Sequence, residues 1–308
     1  MSAYPNPDVL AENDRSGALK FNQKGAFMNG YAHPEVLVET DWVQAHLGQP
    51  GVKVVEIDVD ATAYDAGHIR GAVGFNWRTE LQDQVGRDII GKEAFEKLVG
   101  GAGISPRDTV ILYGDNHNWF AANGFWLFKV YGHKDVRLMN GGRGKWQSEP
   151  DKELTAERPN PKPVPYQVTE TRPELRALLH DVLQAVKSRG ANLVDVRSHD
   201  EFTGKVIAPP GMTETAQRGG HVPGAKSIPW GAPVAPDGTF KSADELRAIY
   251  LEQKGVDPNR PTIAYCRIGE RSSHTWFVLT YLLGLKDVRN YDGSWTEYGN
   301  LIGAPIEK

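Results

Sequence analysis

The chain has a single cysteine, Cys266, in 308 residues. One thiol excludes an intramolecular disulfide and any cluster of thiolate metal ligands. Long apolar runs are missing too: none approaches the ~18 residues that cross a bilayer. The opening stretch, MSAYPNPDVLAENDR, has no basic segment followed by an apolar one, so it does not read as a secretory signal. Nor is there an excess of charge of one sign. The formal net charge is −4, which argues against general nucleic-acid binding. No membrane or nucleic-acid partner is expected, and no motif calls for a metal or an organic cofactor. The expected compartment is the cytoplasm, where a free thiol survives.

What is present is the composition of an ordinary globular protein, 40% hydrophobic and 24% charged. The length fits two domains. Residues 1–34 are polar, rich in Gly and Asn, and lack a period; they are expected to form an extended arm. A helix is predicted from Thr40 as N-cap, with Trp42, Val43 and Leu47 on one face. Buried strands are predicted at Val52–Val59 and Thr109–Tyr113. Prolines at 150, 159, 161, 163 and 165 then block helix formation, and residues 149–170 are read as a stiff linker. Beyond it, Leu175, Leu178, Leu179, Val182, Leu183 and Val186 predict an amphipathic helix, followed by a strand at Asn192–Val196.

The sequence repeats itself. GHIRGAVGFNW at Gly67–Trp77 matches GHVPGAKSIPW at Gly220–Trp230, a shift of 153 with five identities. Tyr113–Trp146 matches Tyr265–Tyr298 without gaps at a shift of 152, pairing Phe125 with Phe277 and Gly132 with Gly284. So long a period means a duplicated domain rather than a solenoid. Strands alternate with helical patterns in both halves, so each half is expected to be an α/β domain with a mainly parallel sheet flanked by helices. The domains are placed at residues 35–148 and 171–308. At the shift of 152, Cys266 pairs with Gly114, Arg267 with Asp115 and Arg271 with Trp119. Any chemistry of the thiol therefore belongs to the second half.

Thr262–Tyr265 reads as a short apolar strand, Cys266–Arg271 as a loop, and Ser272 to Gly284 as a helix. The C-terminal edge of a parallel strand is where α/β sheets hold ligands. Loop amides and a helix N-terminus there favour an anion. With Arg267 and Arg271 nearby, the Cys266 thiol is expected to ionise readily. Gly269 permits the sharp turn that brings Ile268, Gly269, Glu270 and Ser272 around the sulfur. Cysteine-dependent phosphatases space cysteine and arginine by five residues. Here Cys266 and Arg271 are separated by four, a tighter loop that suits an extra sulfur on the thiolate better than a phosphoryl group.

The loop Cys266–Ser272, CRIGERS, resembles the active loop of the two-domain rhodaneses, thiosulfate sulfurtransferases, and in particular that of bacterial members. Val194–Arg197 together with Gly220–Ala225 is similar to the family's signature near the start of a domain. Asn140-Gly-Gly and Asp292–Trp295 are similar to the turn before its last helix. The resemblance runs from about residue 35 to the end. It implies two tandem rhodanese-like domains and a two-step reaction, in which Cys266 takes the sulfane sulfur of thiosulfate as a persulfide, sulfite leaves, and a thiophilic acceptor such as cyanide or a thiol removes the sulfur. Arg271 is the first candidate for binding the donor's sulfonate and Arg267 the second. A protein acceptor is compatible with the same chemistry. Two features depart from vertebrate members: Ile268 stands where they carry a lysine, and Glu201 where they carry an arginine, so the cations are arranged differently here. Mercaptopyruvate sulfurtransferases have small uncharged residues after the cysteine, and Arg267 speaks against that alternative. A persulfide carrier or redox sensor without free turnover is the other alternative.

Asp195 and Arg197 are read as a strand-end network supporting the loop. His68 and His221 occupy matching places although only one half has the thiol, so both are read as structural turn residues. His274 is expected to be packed or solvated, and Trp295 is a candidate for the pocket mouth. Relative to the first half, Gly204–Gly219 is an insertion. With Asp58 aligned on Asp195 it is 16 residues long, and it is expected to border the site.

Overall fold

The computed structural model describes residues 30–209, 211 and 215–308. Most of the expected N-terminal arm lies outside the described residues. Its described end docks on the second half: the Ala32 amide donates to Leu282 O at 3.0 Å, and Tyr31 Oη donates to Lys241 O at 2.9 Å.

Each half is a five-stranded parallel sheet. The first has the order β1-β5-β4-β2-β3, from Leu37–Val38, Val52–Asp58, Val73–Asn76, Thr109–Tyr113 and Val136–Met139 in chain order. The second repeats it as β6-β10-β9-β7-β8, from Arg176–Ala177, Asn192–Asp195, Lys226–Ser227, Thr262–Tyr265 and Val288–Tyr291. β4 and β9 sit at the centres and are apolar after an initial threonine, as suits strands covered on both faces. Helices supply the cover. The two halves are thus α/β domains of one architecture, as the repeat requires.

The halves meet through equivalent elements. Helix Asp115–Val130, which follows β4, packs on helix Glu270–Phe277, which follows β9. Phe125 and Phe277, partners at the shift of 152, touch edge to face with ring centres 4.9 Å apart. Contact between equivalent residues is the mark of a two-fold relation. One hydrophobic core runs through this contact, from Val55 and Ile57 in the first half to Val194, Trp276 and Phe277 in the second.

Between the sheets the proline-rich segment is extended and lies on the first half. Thr155 pairs with His68 in an antiparallel bridge, and the Val164 amide donates to Gly100 O at 2.9 Å.

Several local expectations need correction. Glu39, not Thr40, is the N-cap of helix Thr40–His46; Thr40 is its first residue and its hydroxyl donates to Glu149. Leu175 belongs to a 3-10 turn, Pro173–Leu175, and Leu178 is 45% exposed at an N-cap. Strand β6 intervenes, so the amphipathic helix is only Leu179–Ser188. Two short elements with apolar residues a few positions apart had imitated one longer helix. The helix after the cysteine starts at Glu270, two residues earlier than expected, which shortens the loop and puts Glu270 and Arg271 in the first helical turn. Strand register also realigns the halves. Glu56 lies beside Tyr113 and Asp195 beside Tyr265, so Glu56, rather than Asp58, matches Asp195. From there His68 is 12 residues on in the first half and His221 is 26 on in the second, which makes the insertion 14 residues long.

Candidate active site

β9 delivers Cys266 to the carboxyl edge of the second sheet, where the thiol is fully buried. Three supports fix the loop. Cys266 N donates to Ser294 Oγ at 3.0 Å, and the Cys266 carbonyl accepts from Trp295 N at 3.0 Å. The Arg267 carbonyl accepts from Thr296 N at 3.0 Å and from Thr296 Oγ1 at 2.8 Å. The Gly269 carbonyl accepts from Asn290 Nδ2 at 3.1 Å, and Ser272 Oγ is 2.6 Å from Asn290 Oδ1. The turn after β10 therefore clamps the turn after β9.

Gly269 closes the loop with φ +97°, and its amide points at Cys266 Sγ from 3.1 Å. A Cβ at this position would collide with the Asp292 backbone. Gly269→Ala is accordingly expected to cost about 2–5 kcal/mol, from the left-handed conformation and the overpacking together. A shift in the urea midpoint would measure it, and an unchanged midpoint would mean the loop has room that its geometry denies.

The first half holds the loop from the other side. Arg87 Nη2 donates to Ile268 O at 3.3 Å, and Asn123 Nδ2 reaches Gly269 O at 3.5 Å while its Oδ1 accepts from Trp77 Nε1 at 2.9 Å. A cavity of about 430 Å³ lies beside these supports, lined by Arg87, Asp88, Arg176, Asp292, Thr296 and Glu297 and by no residue of the cysteine loop itself.

Arg271 is not arranged as an open anion binder. Arg271 is buried, and its two Nη atoms each lie 3.3 Å from a Glu201 oxygen. Its Nε is 3.8 Å from Glu270 Oε1. Burial alone would lower the Arg271 pKa, but Cys266, Glu270 and Glu201 facing it hold it above its ordinary value. Its charge thus serves three groups inside the site. Arg267 is buried as well.

The expectation of an easily ionised thiol does not hold in this closed arrangement. Burial pushes the Cys266 pKa up and the Glu270 carboxylate pushes it further; Arg271 and the Ser272 amide and hydroxyl pull it down without reversing the shift. Cys266 Sγ donates to Glu270 Oε2 at 3.4 Å.

Asp195 and Arg197 form a buried ion pair at 2.6 Å, and Arg197 also donates to Gly220 O at 2.7 Å. Its guanidinium lies 4.4 Å from the centre of the Trp295 ring. Trp295 is buried and donates to Arg218 O at 3.0 Å, so it is core and not a mouth residue. Through Arg218 and Ala216 the described part of the insertion packs on the helix that carries Trp295. His68 and His221 are turn residues, each stacked on an aromatic neighbour, Tyr64 and Phe202. His274 is packed against Trp230 and Phe240, and burial pushes its pKa down to about 3. Sequence reasoning missed Ser294, Arg87 and Asn123, and it noted Glu201 without finding its partner. Only Ser294 had a signal: it matches Gly142 at the shift of 152, so a hydroxymethyl group stands where the first half has a hydrogen.

Among the described residues no three His, Cys, Asp or Glu side chains converge as metal ligands, and no helix is long and apolar enough to cross a membrane.

Two parallel α/β domains with one cysteine loop at a central strand edge define the class, and comparison with known proteins gives the family. The rhodanese-like domain matches residues 39–149 and again 174–301. The chain belongs to the rhodanese family, with two copies of its domain. It is 55% identical over 279 residues to a Haloferax volcanii protein named "Putative thiosulfate sulfurtransferase", covering 89% of this chain and 96% of that one. It is also 55% identical over 283 residues to the "Sulfur carrier protein TtuD" of Thermus thermophilus, covering 91% and 99%. Among solved structures it resembles YnjE at 26% identity, with a TM-score of 0.77 over 90% of this chain and 69% of that one. Family and relatives support sulfur transfer as the general activity.

Proposed function

We propose that the protein is a thiosulfate sulfurtransferase that carries sulfane sulfur as a persulfide on Cys266 and gives it to a thiophilic acceptor, cyanide in an assay and a thiol in the cell. The observation that supports this most is the cradle of Cys266: a lone thiol at the end of β9, with the Gly269 amide 3.1 Å from Sγ, in a loop one residue shorter than the phosphatase spacing. An amide aimed at sulfur stabilises negative charge there whether the sulfur is thiolate or persulfide. Splitting the displacement into two steps through a covalent intermediate makes each step easier. Ile268, Gly269, Glu270 and Ser272 form the cradle, Asp195 and Arg197 brace the strand end, and Arg271 sets the field inside the site. No cofactor takes part in this scheme.

The test is intact mass after thiosulfate. One added sulfur is expected, removed by cyanide with release of thiocyanate, and thiosulfate is expected to exceed mercaptopyruvate by at least about tenfold in kcat/KM, worth roughly 1.4 kcal/mol. A preference for mercaptopyruvate would reassign the donor. The Thermus relative named as a sulfur carrier favours a second reading in which a protein receives the sulfur. Persulfide that forms but resists every small acceptor would select it.

A further inference from the structure

The duplication contains a control for the loop. In the first half Gly114 stands at the cysteine position, and its amide donates to Asn118 Oδ1 at 3.0 Å. Asn118 is the residue that matches Glu270. In the second half this task has moved. The Cys266 amide donates to Ser294 Oγ instead, and that hydroxyl donates to Tyr291 O at 2.6 Å. Ser294 matches Gly142. Gly142 has φ +59° and Ser294 keeps φ +51°, a conformation that side-chain-bearing residues disfavour. The fold thus accepts local strain to place a hydroxyl here. The result is that Glu270 no longer ties down the loop amide. Its Oε2 lies 3.4 Å from Sγ and accepts from it.

The neighbours allow this role. Arg271 from the same helical turn faces both Glu270 and the sulfur. Glu201, from helix His199–Phe202, is held behind Arg271. Asp292, after β10, is engaged by Arg176 at 3.0 Å. Two buried anions, carboxylate and thiolate, would oppose each other beside one arginine. A single shared proton removes that conflict.

We propose that Glu270 is a catalytic residue, the proton acceptor that frees the Cys266 thiolate and the proton donor that afterwards faces the persulfide. This rests on the reading of Cys266 as the sulfur carrier. In the first half-reaction the thiol proton passes to Glu270. The thiolate pair then forms a bond to the sulfane sulfur, the S–S bond of thiosulfate breaks, and sulfite leaves with its electron pair. A persulfide anion stands opposite a neutral carboxyl. In the second half-reaction cyanide takes the outer sulfur as thiocyanate, the Cys266 sulfur recovers its pair, and the proton returns from Glu270. Carboxylate and thiol are restored.

The experiment is single-turnover persulfide formation from thiosulfate, followed by sulfite release from pH 6 to pH 10, in wild type and Glu270→Gln. The variant is expected to be slower by about 100-fold at pH 7. It should then rise with the thiolate fraction and approach the wild-type rate in alkali, where hydroxide takes the proton. A damaged loop does not recover in this way, because a misplaced sulfur stays slow at every pH. A variant slow throughout the range assigns Glu270 a positioning role and overturns the proposal. So does a variant as fast as wild type or faster at pH 7, the outcome if the carboxylate acts only by repelling the thiolate. Wild type that forms no persulfide at all overturns the parent reading, and this one with it.

Discussion

Cys266→Ser is expected to take up no sulfur from thiosulfate and to lose at least about 1000-fold of the transfer rate, the scale seen when a covalent nucleophile is removed. The reason is chemical. Attack on a sulfane sulfur needs a soft, ionisable atom, and a serine hydroxyl in a buried loop is neither. The fold is expected to survive, with a cost of about 1–2 kcal/mol, because the replacement is small and Glu270 Oε2 remains as an acceptor for the new hydroxyl. Intact mass after thiosulfate and thiocyanate release are the readouts. Appreciable transfer by the variant would place the chemistry elsewhere in the chain, although Cys266 is its only thiol. The first half shows that the loop does not depend on the thiol to form: with Gly114 in place of cysteine it still turns from β4 into a helix.

The second large effect belongs to Arg271→Met. Methionine fills much of the same volume but leaves Glu201 and Glu270 buried without their cation. Breaking a buried pair from one side costs about 3–5 kcal/mol, a large share of the ~5–15 kcal/mol that holds a typical domain. Urea unfolding at neutral pH would read it as a lower midpoint, and a loss below about 1 kcal/mol would mean that water reaches the pair. The sign of the pH dependence is a sharper check. Burial raises the Glu201 pKa, but Arg271 and Ser198 overcome that and hold it below the usual value. Its contribution is therefore complete above the ordinary carboxylate value and fades as pH falls through the lowered one. In the variant burial is left largely unopposed, the carboxyl titrates above its ordinary value, and stability rises as pH falls through it. The gap between wild type and variant should narrow on acidification.

Much of this protein was legible in its sequence, because duplication turns one chain into two readings of the same fold. The shift of 152 placed β4 opposite β9, Phe125 opposite Phe277 and Gly114 opposite Cys266; strand register agrees with the first and the last, and the ring contact with the second. Periodicity was less reliable in short elements. Leu175 and Leu178 looked like one helical face because a 3-10 turn and a two-residue strand leave no period of their own. The electrostatics of the loop were the least legible part. Two arginines beside a cysteine imply an acidic thiol only if their charge is free to act. Arg271 is committed to Glu201, which lies 70 positions earlier in the chain. Exposure is also a property of the folded chain, and without it the rise in the Cys266 pKa has no visible cause. The hands that the first half lays on the loop, Arg87 and Asn123, come from a region whose sequence resembles nothing catalytic.

The core that passes between the two sheets has a consequence for how the protein came to keep both. Trp276, Phe277 and Leu279 of the second half are covered by the first half's Phe125 and its neighbours. A second half released from its partner would present those side chains to water and lose two of the hydrogen bonds that shape its loop. Once joined, the copies became mutually dependent. The copy without a thiol has Gly114 and Trp119 where the other has Cys266 and Arg271, yet it still supplies half of the shared core. Packing makes the two domains an obligate pair written in one chain.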